Sequence, residues 1–278
     1  MQRLKFVAPS IIPGFRLTFG LTITYLSLIV LIPIAALYLR TLELSWDDFV
    51  RIVTGPRFLA AMQLSFGASL LAALFNVVTG TMIAWVLTRY SFPLRRIFDA
   101  AVDLPFALPT AVAGIALTAL YAPNGWIGGL FEPFGIRIAY TQIGIWIALV
   151  FIGLPFVVRT VQPVLEDFNR ETEEASATLG ASRRQTIFLV MLPALLPAIT
   201  TGFALAFARA VGEYGSVIFI AGNLPRQTEI LPLLIVFRLS EYNYAGAAAI
   251  AAVMLTVSFL VLLFINLVQA WSQRRFGQ

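Results

Sequence analysis

The sequence contains neither cysteine nor histidine. Without cysteine there is no disulfide framework and no thiolate nucleophile, and without either residue the usual protein ligands of transition metals are missing. The only lysine is Lys5, so the sequence lacks the lysine that a phosphate-binding P-loop requires. The sequence therefore predicts no metal centre and no Walker-type nucleotide site. It also offers no lysine for Schiff-base chemistry apart from this one near the terminus.

Charged residues are scarce as well. They make up 12% of the chain, whereas 59% of the residues are hydrophobic and the mean hydropathy is +0.88. A soluble domain carries roughly 25% charged residues, so this chain has too little polar surface to coat a soluble globule. The surplus of arginine forms no continuous basic face, which argues against nucleic acid as a partner. Much of the chain is therefore predicted to lie in membrane lipid.

Six apolar runs account for this composition, each close to or above the roughly 20 residues that a transmembrane helix needs. The first run is too long for the apolar core of a signal peptide, and no clear cleavage site follows it, so we interpret it as a retained helix. No internal repeat is visible. The predicted fold is an all-α integral membrane protein with residues 1–278 as a single domain and spans at about 16–39, 61–88, 104–122, 139–161, 194–221 and 246–270.

The basic residues fall mainly on one of the two sides that these six spans define. That side carries Arg3, Lys5, Arg16, Arg89, Arg95, Arg96, Arg159, Arg170, Arg183, Arg184, Arg274 and Arg275. The other side carries half as many, namely Arg40, Arg51, Arg57, Arg137, Arg226 and Arg238. Lysine and arginine are enriched in cytoplasmic loops, so both termini and the 159–193 loop are predicted to be cytoplasmic.

The loops on the other side differ in character. Segment 40–60 contains Trp46, Asp47 and Asp48 and is predicted to form a short surface helix. Segment 122–138 is rich in glycine and proline, which is typical of a turn. Segment 222–245 is predicted to be a further external loop.

The 159–193 loop predicts an elbow of two helices. Pro163 suits an early helix position, because its missing N–H has no partner there. A short helix over Thr172 to Leu179 is followed by Gly180, a natural residue just beyond a helix C-terminus. Ser182 is then placed to cap a second helix that begins at Arg183.

A longer pattern runs through this elbow. Glu174, Ala175 and Ser176 are followed by Gly180, and then by Val190, Leu192 and Pro193. The order and spacing match E-A-A-x-x-x-G-x9-I-x-L-P, with Ser176 for the second alanine and Val190 for isoleucine. The loop thus resembles the EAA signature of the permeases of ABC importers.

This resemblance implies a type I permease fold in which the helix before Gly180 is a coupling helix that docks on a separate ATP-binding subunit. The small residues Ala175, Ser176 and Ala177 would allow close approach, and Glu174 would pair with a basic group of the partner. Force would pass through Leu192 and Pro193 into the fifth span. ATP and Mg²⁺ would be bound by the partner, and no cofactor by this chain.

Three further segments resemble CysT-type permeases of sulfate/thiosulfate importers, namely Leu87–Gly114, Gly153–Glu166 and Ala208–Asn223. The resemblance implies half of a pore in a bacterial inner membrane. The implied partners are a CysW-type permease, two ATP-binding cassette subunits and a periplasmic sulfate-binding protein. Permeases for molybdate share some of these residues, so another oxyanion stays open as the substrate.

Two places are candidates for an anion path. Arg209 lies inside an apolar run with Glu213 four residues later, on the same helix face. The two residues either neutralise each other within the packing or line the path. Pro105, Pro109 and Thr110 mark either a simple kink or an opened backbone. Gly212, Gly215 and Ser216 either pack against a neighbouring helix or line the path.

Two other classes of function remain as alternatives. A stand-alone secondary transporter or channel would move anions without an ATPase. The sequence argues against it, because it has few ionisable groups within the membrane spans and no visible inverted repeat. A membrane assembly factor would tolerate changes at Glu174 and Gly180 without loss of transport.

Overall fold

The computed structural model describes residues 14–276, all of whose regular elements are helices. Arg3 and Lys5 lie outside the described residues, as do the side chains of Arg16, Arg274 and Arg275. In chain order the helices are α1 (Leu17–Thr41), α2 (Trp46–Val53), α3 (Pro56–Arg89), α4 (Arg95–Val102), α5 (Leu104–Ala107), α6 (Thr110–Tyr121), α7 (Gly128–Phe131), α8 (Gln142–Glu166), α9 (Arg170–Thr178), α10 (Arg183–Val211), α11 (Val217–Ile220), α12 (Leu231–Ser240) and α13 (Tyr244–Phe276).

Five of these helices are long and apolar enough to cross a membrane: α1, α3, α8, α10 and the Tyr244–Leu267 part of α13. The shortest of these stretches has 24 residues, which corresponds to about 36 Å of helix, more than the roughly 30 Å of a hydrocarbon core. The chain is therefore a multi-pass membrane protein, and the predicted all-α integral membrane fold is confirmed.

The structure differs from the sequence prediction at 104–122, where one continuous span was expected. The short α5 ends at Ala107, Leu108 and Pro109 are extended, and α6 has only 12 residues. Proline disfavours helical geometry in the residue before it and lacks an N–H of its own, so Pro109 interrupts the helix.

A second difference concerns 194–245. The predicted span 194–221 is interrupted, because α10 ends at Val211 and the short α11 follows after a non-helical stretch. The segment expected as an external loop contains α12, whose Leu231, Leu233 and Leu234 are buried. Ten residues are too few to cross a membrane, so a search for spans of roughly 20 residues assigns this helix to a loop.

The core forms where α3, α8 and α10 pack together, and Val157 of α8 lies at its centre. A Cβ atom added to Gly80 of α3 would lie 2.8 Å from Cβ of Val157, and one added to Gly202 of α10 would lie 2.9 Å from its Cα. Both glycines are therefore required for close approach of the backbones, as is common between membrane helices.

The short surface helix expected in 40–60 is confirmed as α2. Ser45 caps it, since its Oγ accepts a hydrogen bond from the backbone N–H of Asp48 at 3.1 Å. Asp47 and Asp48 lie in the first turn, where negative charge is favourable.

Candidate functional site

The predicted elbow is present as α9, Gly180 and the start of α10. Asn169 caps α9 by accepting from the N–H of Glu171, and Gly180 adopts φ of +82°, in the left-handed region. Ser182 and Gln185 form a reciprocal capping box at the start of α10. The second helix thus begins at Arg183, as expected.

The position of Pro163 differs from the prediction. Helix α8 continues through Pro163 to Glu166, so Pro163 lies inside a helix instead of starting one.

The outer surface of α9 is formed by small and acidic residues. Glu174, Ala175 and Ala177 are exposed, and Leu179 is 88% exposed at the tip of the elbow. Leu179 had not been singled out from the sequence. An apolar residue next to the glycine in an otherwise polar helix was the available signal. An exposed leucine beside small residues suits the docking of another protein.

Ser176 has a different position from its neighbours, although we expected all three small residues on the outer surface. It is buried, and its Oγ lies 2.9 Å from Oγ1 of Thr186 and donates to the carbonyl of Glu173 at 2.8 Å. Since Thr186 belongs to α10, Ser176 joins the two arms of the elbow from inside.

A buried arginine ties the elbow to the membrane helices. Nη2 of Arg89, at the end of α3, lies 2.7 Å from Oε1 of Glu173 in α9. The Arg89 side chain is only 13% exposed. Its guanidinium lies 5.7 Å from the ring centroid of Trp85 and 5.9 Å from that of Phe168, within cation–π range. The ion pair therefore connects α9 directly to α3.

The inner arm of the elbow continues into the membrane without interruption. Thr186–Met191 form a stretch of wider π-helical turns, after which Leu192 and Pro193 are half-buried in α10. A π-helical stretch accommodates a following proline, whose N–H is missing. Leu192 and Pro193 thus lie between the elbow and the core.

Arg159 gathers a second set of contacts at the end of the bundle that carries the elbow, which we call the elbow end. Its guanidinium donates to both carboxylate oxygens of Asp103, at 2.8 and 2.7 Å, and to Asp99 at 2.6 Å. It also donates to the Asp99 carbonyl and the Gln162 amide oxygen. The sequence alone identifies Arg159 only as a marker of topology.

Arg209 and Glu213 form an ion pair near the middle of the bundle. Nη1 of Arg209 lies 2.6 Å from Oε2 of Glu213. Arg209 lies about one turn beyond Ala206, which packs against Gly153 near the middle of α8. The Glu213 side chain is 2% exposed, whereas that of Arg209 is 34% exposed. Ser216 donates to Oε1 of Glu213 from its N–H at 2.8 Å and its Oγ at 2.9 Å.

The second predicted candidate for an anion path, formed by Pro105, Pro109 and Thr110, lies next to this pair. Thr110, the first residue of α6, packs directly against Gly215, and Gly114 packs against the backbone of Ser216. Pro105 is half-buried in α5 and Pro109 is exposed at the break. The interruptions of α5–α6 and of α10–α11 therefore meet at the Arg209–Glu213 pair.

A further ion pair, between Arg57 and Glu229, was not predicted. Arg57, at the start of α3, donates to both carboxylate oxygens of Glu229, at 2.8 and 2.7 Å. The Glu229 side chain is fully buried. Among the described residues, no group of three or more acidic side chains that could hold a metal ion is present.

The sequence matches the family described as "Binding-protein-dependent transport system inner membrane component" over residues 76–278. The chain belongs to this family. The match begins within α3 and includes the elbow, the Arg159 contacts and the Arg209–Glu213 pair, whereas Arg57 precedes it.

Individual relatives of this permease are similar over nearly their whole length. It is 47% identical over 268 residues to the sulfate transport system permease protein CysT of Salmonella typhimurium, with 96% of this chain and 95% of that protein covered. It is 50% identical to the CysT protein of a Synechocystis strain, with coverage of 91% and 88%.

A solved structure has the same fold as this permease. A chain of a bacterial alginate ABC transporter, crystallised with an alginate-bound periplasmic protein, superposes with a TM-score of 0.76 at 18% identity. The superposition covers 94% of this chain and 95% of that chain. The predicted importer-permease fold is thus confirmed. A permease of this family works together with ABC-type partner subunits.

Proposed function

We propose that the chain is the permease subunit of an ATP-driven sulfate importer and forms half of its membrane pore. The observation that carries the proposal is the capped elbow, whose exposed face has no catalytic groups and is joined by Arg89 to the core. The names of relatives that are 47% and 50% identical support sulfate as the substrate.

The elbow end faces the cytoplasm in this proposal, and the membrane is the bacterial inner membrane with both termini inside. The distribution of arginine supports this orientation, because Arg89, Arg95, Arg96, Arg183 and Arg184 all lie at the elbow end.

The exposed face of α9 docks on an ATP-binding cassette subunit, two copies of which bind ATP and Mg²⁺. Ala175, Ala177 and Leu179 enter a groove of that subunit, and Glu174 pairs with a basic group there. When the two ATPases close, the elbow moves, and the movement reaches the core through Arg89, Leu192 and Pro193. This chain then changes the access of the pore without reacting chemically.

The sulfate path passes Arg209. A guanidinium near mid-membrane is costly unless it is paired or faces a polar cavity, and Arg209 is paired on one side and one-third exposed on the other. Two hydrogen bonds from Ser216 hold the Glu213 carboxylate in place, so it does not move with a passing anion. Arg209 is thus able to share its charge with a passing sulfate, and Thr110 and the opened backbone at Pro105 and Pro109 border the same region.

Two further partners complete the importer. A CysW-type permease supplies the other half of the pore, and α1, whose span has no buried residue within this chain, is free to contact it or lipid. A periplasmic sulfate-binding protein contacts segments 122–138 and 222–245, where Trp126, Phe134 and Tyr242 are strongly exposed.

Single-cysteine crosslinking tests the docking step, because the chain contains no cysteine of its own. We expect Ala177→Cys to crosslink to the ATPase in native membranes, whereas Ser240→Cys, exposed at the opposite end, does not. No crosslink from Ala177→Cys, together with sulfate uptake that needs no ATP, would support a stand-alone transporter instead.

Substrate choice is tested on the reconstituted complex with its binding protein. We expect ATP-dependent uptake of labelled sulfate that excess thiosulfate reduces and excess molybdate does not. If only molybdate competed, the transported substrate would be another oxyanion and not sulfate.

A further inference from the structure

The segment after α3 forms an amphipathic helix at the elbow end. α4 packs against the ends of α3 and α8, where Arg159 holds Asp99 and Asp103. At 100° per residue, Ile97, Phe98 and Ala101 fall on one side and Arg95 and Arg96 on the other. Leu94, Ile97 and Phe98 are each more than half exposed. A helix of this kind lies in the plane of a membrane surface.

An apolar groove of about 550 Å³ opens between α4 and the last turns of α3. Every residue that lines it is apolar, including Met82 and Val86 of α3, Phe98 of α4 and Leu154 of α8. The groove runs along the last two turns of α3 to Leu154, near the middle of the membrane-spanning α8, so it reaches from the membrane surface toward the depth of the lipid tails. An acyl chain matches it in both depth and chemistry.

A basic hollow of about 600 Å³ adjoins this groove. Arg95 and Arg96 line it together with Asp99, and Phe92 belongs to the walls of both. The carboxylate of Asp99 is bound to Arg159 at 2.6 Å. Within residues 14–276, the ion pairs present involve neither Arg95 nor Arg96. Two uncompensated positive charges therefore lie beside the apolar groove.

We propose that this site binds one anionic phospholipid, with an acyl chain in the groove and the headgroup phosphate between Arg95 and Arg96. Positive side chains at the surface attract anionic lipid, and the groove adds selectivity for a molecule with a long tail. The bound lipid fixes α4 in the membrane plane. The proposal requires only that the chain spans a membrane, so it stands or fails separately from sulfate transport.

Native mass spectrometry of the purified complex tests the site. We expect wild-type complex to retain phosphatidylglycerol and not phosphatidylcholine, and Arg95→Gln/Arg96→Gln to retain roughly tenfold less phosphatidylglycerol. The matched control is Arg183→Gln/Arg184→Gln, which removes the same charge at the same end and should retain the lipid. Met82→Trp fills the groove without altering charge and should also lower retention.

Several results would overturn the site. These are equal retention of phosphatidylcholine, equal loss in the Arg183/Arg184 control, or full retention in Met82→Trp. Crosslinking of Phe98→Cys to another subunit, with no lipid retained, would show that protein covers the groove. Binding of inorganic phosphate without any lipid would reduce the hollow to an anion site. If Arg95→Gln/Arg96→Gln fails to assemble, Met82→Trp decides the question.

Discussion

Arg89 and Glu173 form an ion pair, 2.7 Å between Nη2 and Oε1, that connects the end of α3 to the helix of the elbow. The two residues are far apart in sequence, and the contact is a direct side-chain link between α9 and α3, the longest of the described helices. If α9 docks on an ATPase as proposed, this contact would carry a displacement of the elbow into α3.

Loss of the Arg89–Glu173 pair should weaken the connection between the elbow helix α9 and the membrane helix α3. Glu173→Gln leaves the largely buried Arg89 without its counter-charge. The contact between α9 and α3 should be weakened by about 1 to 3 kcal/mol. We expect ATP-dependent uptake to fall several-fold while the ATPase still co-purifies. Glu171→Gln is the control, since Glu171 is exposed, contacts only its neighbour Asn169 and should have normal uptake. Equal uptake by the two variants would contradict the coupling role.

Gly180 should tolerate only residues that accept a left-handed backbone. No atom lies within 4 Å of a Cβ added there, so the effect of a substitution is conformational and not steric. Gly180→Val should cost about 1 to 2 kcal/mol and lower uptake, whereas Gly180→Asn should keep more of it. Uptake and ATPase co-purification of the two variants, measured side by side, check this order.

The Arg159 contacts should stabilise the elbow end. Arg159→Gln leaves Asp99 and Asp103 without their cation, and since these carboxylates are 40% and 48% exposed, we expect a loss of about 1 to 2 kcal/mol in unfolding free energy, seen as a lower unfolding midpoint in detergent. Arg159→Lys keeps the charge but cannot make the forked contact with Asp103, so its loss should be smaller. Arg40→Gln breaks an exposed pair and should change stability by less than about 1 kcal/mol.

Close packing of α3 on α8 predicts a contrast between two glycines of the same helix. Gly80→Ala places a methyl group against Val157, and we expect destabilisation of about 1 to 3 kcal/mol. Gly67→Ala meets no atom within 4 Å and should be neutral or slightly stabilising. Thermal unfolding of the two purified variants provides the measurement, and similar midpoints would refute the packing argument.

Arg209 should be required for transport and not for assembly. We expect Arg209→Gln to lower sulfate uptake roughly tenfold or more, since a charge-assisted contact with the anion is lost. Arg40→Gln is the control, because Arg40 also pairs with a nearby glutamate, Glu43, but is exposed at the bundle surface and lies outside the segments assigned to the binding protein. Normal uptake by Arg209→Gln, with normal assembly, rules out the path role.

The sequence predicts the elbow well because its signals are local. Gly180, Ser182 and the acidic first turn of α9 act within a few residues of one another, so spacing alone is informative. The Arg159 contacts could not be predicted in this way, since Asp99 lies 60 residues away from Arg159. The helix α12 was missed for another reason: it is apolar and buried but too short to be recognised as a span.

The contact of Val157 with the backbones on both sides of it has a mechanical consequence. Neither α3 nor α10 can slide along α8 without a clash, so the three helices should turn as a single lever when the ATPase closes. Bending must then be concentrated at the extended Leu108–Pro109 pair and in the stretch after Val211. Those two interruptions meet beside Arg209, so in the proposed importer the lever would open or close the pore next to this positive charge.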